Sequence, residues 1–174
     1  SGMASETRTI QNGPRSGETL PVETPTTIHS VLSFENGAII TMLASWDVWA
    51  NNHPVMELYG TEGTMNLPDP NFFGGTLIVT ERSGDPTEKS WDHPFNKPNF
   101  EETQADYRGA GLADMALAIA EGCPHRCNDE FATHVVEVIT AILDASEKSA
   151  VLTMTTTCGR PDVLGPEAAR ALLA

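Results

Sequence analysis

Residues 46–53 read WDVWANNH, which puts two indoles, a carboxylate, two amides and an imidazole in one short run. Indole faces stack on the C–H face of a sugar or polyol, and Asp47, Asn52 and His53 supply acceptors and donors for its hydroxyls. Trp46, Asp47 and Trp49 are the centre of this candidate substrate site. The same residues also suit a polar hairpin end with Trp46 in the core, and the run alone leaves both readings open.

A second stretch, residues 107–122, reads YRGAGLADMALAIAEG and opens on Gly109-x-Gly111. A dinucleotide fingerprint needs G-x-G-x-x-G/A directly after a buried strand, with the pyrophosphate on the helix N-terminus. Here the third position is Asp114, a carboxylate facing incoming phosphates, and the preceding ETQADYR is no buried strand. The expectation is a tight entry into a helix and no cofactor loop in this chain. Tyr107 and Arg108, just ahead of it, are further candidates for a substrate pocket, although an arginine at a helix entry is as often a surface ion-pair partner.

Residues 123–127, CPHRC, invite a metal reading, but structural zinc usually takes four ligands in two CxxC-like pairs, and only Cys158 remains elsewhere. The run reads as a tight connection between helices, with no metal site. The histidines at 29, 53, 93, 125 and 134 form no HExxH array, and no G-x-S-x-G elbow is present. His134 reads as a hydrogen-bonded histidine on a helix, and His29 as half-exposed on a strand.

The elements that must position these groups follow from periodicity and turn chemistry. Residues 1–25 open on SGMAS, which resembles an expression scar, and carry Gly13, Pro14, Gly17, Pro21 and Pro25, so they read as a scar and an extended lead-in. TTIHSVLSF and AIITMLASW flank Glu35-Asn36-Gly37, a strong hairpin signal. The second of these runs is apolar on both faces, as in a central strand. PVMELYG, TMNL and TLIVT read as further strands, and residues 81–106 as a long polar connection. Helices are expected over residues 111–121, with Leu112, Met115, Ala116 and Ile119 on one face, and from an Asn128 cap to Lys148. The second carries the stripe Phe131, Val135, Val138, Ile142 and Ala145. A final strand at residues 150–155 precedes a tail, 165–174, with a helical turn or two. Strands first and helices after predict an α+β fold. A mostly antiparallel sheet would carry both main helices on one face and leave the other available for a homo-oligomer.

Composition narrows the partners. Ten Lys and Arg against 24 Asp and Glu give a net charge of −14, which repels phosphate backbones and argues against a nucleic-acid partner. No apolar run has transmembrane length. The three cysteines make no disulfide framework and imply a reducing, cytoplasmic setting.

Three stretches taken together, VLSFENGAIITMLASWDV, ELYGTEGTMNLPDPNFFGG and the run from YRGAGLADM through DASE, resemble the C-terminal domain of the Gfo/Idh/MocA family of NAD(P)-dependent oxidoreductases. The resemblance runs over about residues 23–164 and places one domain at 26–164. It implies a domain that forms one wall of a sugar or polyol pocket and the oligomer interface, with Trp46, Asp47 and Trp49 at the strand end that reaches toward substrate. Asn52, His53, Tyr107 and Arg108 are companions. Trp46 is larger than the aromatic common at that place in the family.

The family's Rossmann half, which binds NAD or NADP and carries a catalytic lysine in a Glu-Lys-Pro segment, has no counterpart in these residues. EKS occurs at 88–90 and at 147–149, in contexts that do not match. The resemblance therefore implies a chain that starts after the catalytic elements and is inactive alone. The rival expectation is a free-standing, non-enzymatic sugar-binding or interaction module.

Overall fold

The computed structural model describes residues 1, 2 and 6–173; residues 3–5 of the lead-in and Ala174 of the tail lie outside the described residues. In chain order the elements are β1 (Thr7–Thr9), β2 (Thr19–Pro21), β3 (Thr27–Ser33), β4 (Ile39–Ser45), β5 (Met56–Tyr59), β6 (Gly63–Leu67), β7 (Leu77–Glu81) and β8 (Thr87–Lys89). A 3₁₀ turn at Pro94–Asn96 follows, then α1 (Ala110–Glu121), α2 (Asp129–Lys148) and α3 (Pro166–Ala171). Strands come before helices and every strand pairing is antiparallel, which is the expected α+β class. Two compact units divide the chain: residues 1–51 with 134–156, and residues 52–133 with 157–174.

In the first unit, β3 and β4 form a hairpin in the register Thr27↔Ser45 to Ser33↔Ile39. Its loop takes three residues. Gly37 alone is left-handed, at φ 87°, and its N–H donates to the Phe34 carbonyl while the Phe34 N–H donates to Ala38. This is the type I turn with a glycine bulge, not the two-residue turn that needs positive φ at both central residues. Inward and outward positions along β3 alternate as its sequence does, with Ile28, Ser30 and Leu32 half-buried and His29 exposed.

The lead-in is more ordered than an extended segment, because β1 and β2 pair and the Gly2 N–H donates to the Thr27 carbonyl. β4 is not a central strand. It pairs with β3 alone, and Ile39, Ile40 and Leu43 stand exposed. Apolarity on two faces reports what a strand needs covered and not what covers it.

The second unit carries the sheet β5-β6-β7-β8. β8 lies in the stretch read as connection, where TEK is too short and polar to register as a strand. Its core is aromatic. Phe95, 2% exposed, stacks on Tyr107 with ring centroids 4.7 Å apart and meets Phe73 edge-on at 5.2 Å. α3 packs on the Pro94–Asn96 turn, where Ala169 is fully buried.

The helices form where their signals lie. Asn128 caps α2 through its Oδ1, which accepts from the Phe131 N–H at 2.9 Å, and Gly122 ends α1 in the left-handed conformation at φ 68°. Their apolar stripes, however, are not closed against a sheet. α1 turns Ala113, Asp114 and Ala118 inward, while Leu112 and Ile119, on the expected core face, are 68% and 73% exposed. On α2, Phe131, Val138, Ile142 and Ala145 are half-buried, but Val135, Val136 and Ile139 are exposed. The substantial contacts between elements are strand on strand, with α3 on the 3₁₀ turn. The expected packing of both helices on one sheet face is therefore not how this chain closes. Residues 150–155 are no ladder strand either; they are extended but unpaired.

Candidate functional site

The end of β4 gathers the first three candidates. β4 runs into Trp46, whose N–H donates to the Thr26 carbonyl at 2.9 Å, and the chain then leaves the sheet. That bond points the Trp46 ring away from the hairpin. Trp46 is 80% exposed and Trp49 fully so, which rules out Trp46 as a core residue. Exposed indoles in sequence neighbours are costly in water, and they offer flat apolar faces to a ligand.

Asp47 lies between them and is mostly buried, its side chain 14% exposed. Its Oδ1 accepts from Arg8 Nη2 at 3.2 Å and its Oδ2 from the Thr27 hydroxyl at 3.2 Å, while its N–H donates to Ser45 Oγ at 3.1 Å. The Thr27 and Ser45 hydroxyls meet at 2.7 Å, and Arg8 also donates to the Trp46 carbonyl at 3.1 Å with its guanidinium 6.0 Å from the indole centroid. Asp47 thus fixes the strand end and retains lone pairs for a hydroxyl ligand, since a carboxylate accepts about four bonds. Arg8 is the residue sequence reasoning missed, because it sits in the segment set aside as lead-in.

Asn52, His53, Tyr107 and Arg108 belong to the second unit. Asn52 and His53 lie exposed in the segment after Asn51. Tyr107 is an aromatic anchor: its ring stacks on Phe95, and its hydroxyl donates to the carbonyls of Lys97 at 2.8 Å and Pro94 at 3.3 Å. Arg108 pairs with Asp106 at 2.6 Å, donates to Asn71 Oδ1 at 3.1 Å and lies 5.7 Å from the Phe72 ring centroid. Tyr107 and Arg108 border a cleft of about 380 Å³ with Asn99, Leu172 and Leu173.

The glycine stretch does not fit a dinucleotide. Gly109 caps α1 after a turn, with the Ala110 N–H donating to the Tyr107 carbonyl, so no strand feeds the helix. Asp114 accepts from both the backbone N–H and the guanidinium of Arg126, and Arg126 Nε donates to the Asp162 carbonyl at 3.1 Å. The carboxylate at the third fingerprint position is thereby a structural clamp on the connection between α1 and α2. This explains how the CPHRC run is held. Its Cys123 and Cys127 are exposed, and among the described residues no group of three or more His, Cys, Asp or Glu is placed to hold a metal.

A second polar cluster went unread. On α2, Glu137 accepts from the backbone N–H and the hydroxyl of both Thr155 and Thr156, at 2.7 Å and 2.6 Å for Thr155 and 2.8 Å for the Thr156 N–H. These donors hold its carboxyl down, from an ordinary 4.5 to about 2, the Thr155 hydroxyl contributing most. His134, one turn earlier, faces the Thr156 hydroxyl at 2.9 Å. The hydroxyl spends its proton on the carboxylate, so it accepts from His134 Nδ1–H, which leaves Nε2 outward. A helix bearing His and Glu at i and i+3 opposite a threonine run was the available signal.

Residues 3–66 match the family model described as the GFO/IDH/MocA C-terminal domain. That span holds β1 to β5 and most of β6, and with them Trp46, Asp47, Trp49, Asn52, His53 and Arg8. It begins within the lead-in, where the sequence resemblance did not, and ends at β6, so the stretch from Tyr107 onward lies beyond it. No curated protein and no solved structure matches the chain. No helix among the described residues is long and apolar enough to cross a membrane.

Proposed function

We propose that this chain is the substrate-binding and self-associating domain of a sugar or polyol dehydrogenase of the Gfo/Idh/MocA type, inactive alone. NAD or NADP is held by other residues of the enzyme, since the glycine stretch here is built as a helix entry. The observation that carries the reading is the pair of open indoles, Trp46 and Trp49, flanking a fixed carboxylate inside the segment that matches the family. Indole faces take the C–H side of the ligand. Asp47 accepts from a hydroxyl and is held in place by Arg8 and Thr27, so little ordering is left to binding.

Tryptophan fluorescence titrated with a panel of hexoses, inositols and linear polyols tests it. A saturable change for at least one class, lost in Trp46→Ala and Trp49→Ala, is expected. The same ligand should then be oxidised, with reduction of NAD or NADP, when the domain is joined to a dinucleotide-binding half. Titrations that never saturate, or that are the same in both variants, reject the site.

A further inference from the structure

The chain exposes more surface than a closed fold of its mass. Its 13501 Å² compares with about 8,300 Å² for one compact domain of 18.7 kDa. Two units of these sizes folded wholly apart would expose about 10,000 Å² together. The excess over even that figure, about 3,500 Å², exceeds the share one chain brings to most obligate interfaces.

Two open backbone edges lie in the first unit. β4 is bonded on the β3 side alone, and its residues IITMLAS carry no charge and no proline, the usual protections of an edge. The other edge belongs to residues 151–158, where Leu152, Met154, Thr156 and Cys158 are half-buried and the residues between them exposed. That is the period of a strand, in a run rich in β-branched residues. Glu137 holds this segment extended by taking the N–H groups of Thr155 and Thr156. Among the described residues no backbone group bonds to residues 151–154, and Val151 is 98% exposed. A strand already held straight loses little entropy on pairing.

We propose that residues 151–154 of one copy add as a strand to the free edge of β4 in a second copy, and reciprocally, to give a two-fold dimer. The proposal rests on the self-association in the reading above and names the surface that makes it. A second copy is the occupant because each chain holds one of each edge, so a two-fold operator closes both pairings and leaves none open. Neither edge carries a charge, so the chain's net −14 is kept out of the seam.

Sedimentation velocity over the micromolar range, with isotope-filtered NOE spectra on mixed labelled and unlabelled copies of this chain, tests the proposal. A concentration-dependent dimer is expected, with inter-copy backbone contacts between Ile39–Ser45 and residues 151–154. Adjacent N–H groups of a strand point opposite ways, so one of Leu152→Pro and Thr153→Pro removes a donor from each seam. That variant should raise the dimer dissociation constant about tenfold or more. A monomer overturns the proposal, as does a dimer whose inter-copy contacts come from the helix stripes or a sheet face. The second result would leave the substrate site and self-association of the domain standing. Should the proline variants misfold, the NOE pattern of the unaltered chain still decides.

Discussion

Glu137 and Thr156 are joined twice, the threonine giving both its backbone N–H and its hydroxyl to one carboxylate on α2. With the same two bonds from Thr155, a single side chain fastens an otherwise unpaired segment to the helix. A charged acceptor makes each of these bonds stronger than a neutral one would be.

The fastening has a pH signature. The folded carboxyl is lowered to about 2 from 4.5, so its stabilisation is fully present above 4.5 and is lost as pH falls through about 2. Glu137→Gln should melt below the unaltered chain at pH 7, and the gap should narrow between pH 4.5 and 2. Amide exchange at Thr155 and Thr156 should rise in the variant at pH 7. A gap that does not depend on pH would show that Glu137 contributes by packing alone.

Arg126 and Asp114 form the corresponding clamp in the second unit, with side chains 34% and 13% exposed. Asp114→Ala strands the Arg126 N–H as well as its guanidinium, and should cost about 2 kcal/mol by denaturant melting. Arg126→Ala should cost a similar amount, and the double variant less than the sum, because both remove one interaction. Additive losses would mean the two side chains stabilise the connection separately.

Phe95 and Tyr107 set the aromatic core. Phe95→Ala should cost about 3–5 kcal/mol, as expected for an almost fully buried ring. Tyr107→Phe keeps the stacked ring and loses the hydroxyl's bonds to Lys97 and Pro94, for about 1 kcal/mol. Thermal melts of both variants measure this. An unchanged melting temperature with weaker polyol binding in Tyr107→Phe would move that hydroxyl from the core to the ligand.

NADH fluorescence should not change on mixing with this chain, since Asp114 is engaged by Arg126 and Gly109 follows a turn. Saturable binding that Asp114→Ala strengthens would restore the glycine stretch as a phosphate cradle.

Local signals proved readable where a single residue decides the geometry. Gly37 marks the hairpin, Asn128 starts α2, Gly122 ends α1, and Pro166 opens α3. Each acts within a few bonds of itself through φ or a capping oxygen, so neighbouring sequence contains the whole cause. Along the candidate site, the run from Trp46 to Trp49 was legible because two indoles beside a carboxylate are uncommon. Arg8 was not, since it reaches Asp47 across 39 residues of chain and nothing adjacent to it announces that partner.

The sequence by itself determined the α+β class, the hairpin, the helix limits and the acidic, motif-poor character that excludes a cofactor loop. Only the tertiary structure decided which apolar faces close. It turned Ala118 inward and left Ile119 open, made β4 an edge, and bound residues 155 and 156 to Glu137 in place of a sheet. The reason is physical: periodicity records that a face must leave water, while the surface that covers it is supplied by groups distant in the chain or on another molecule.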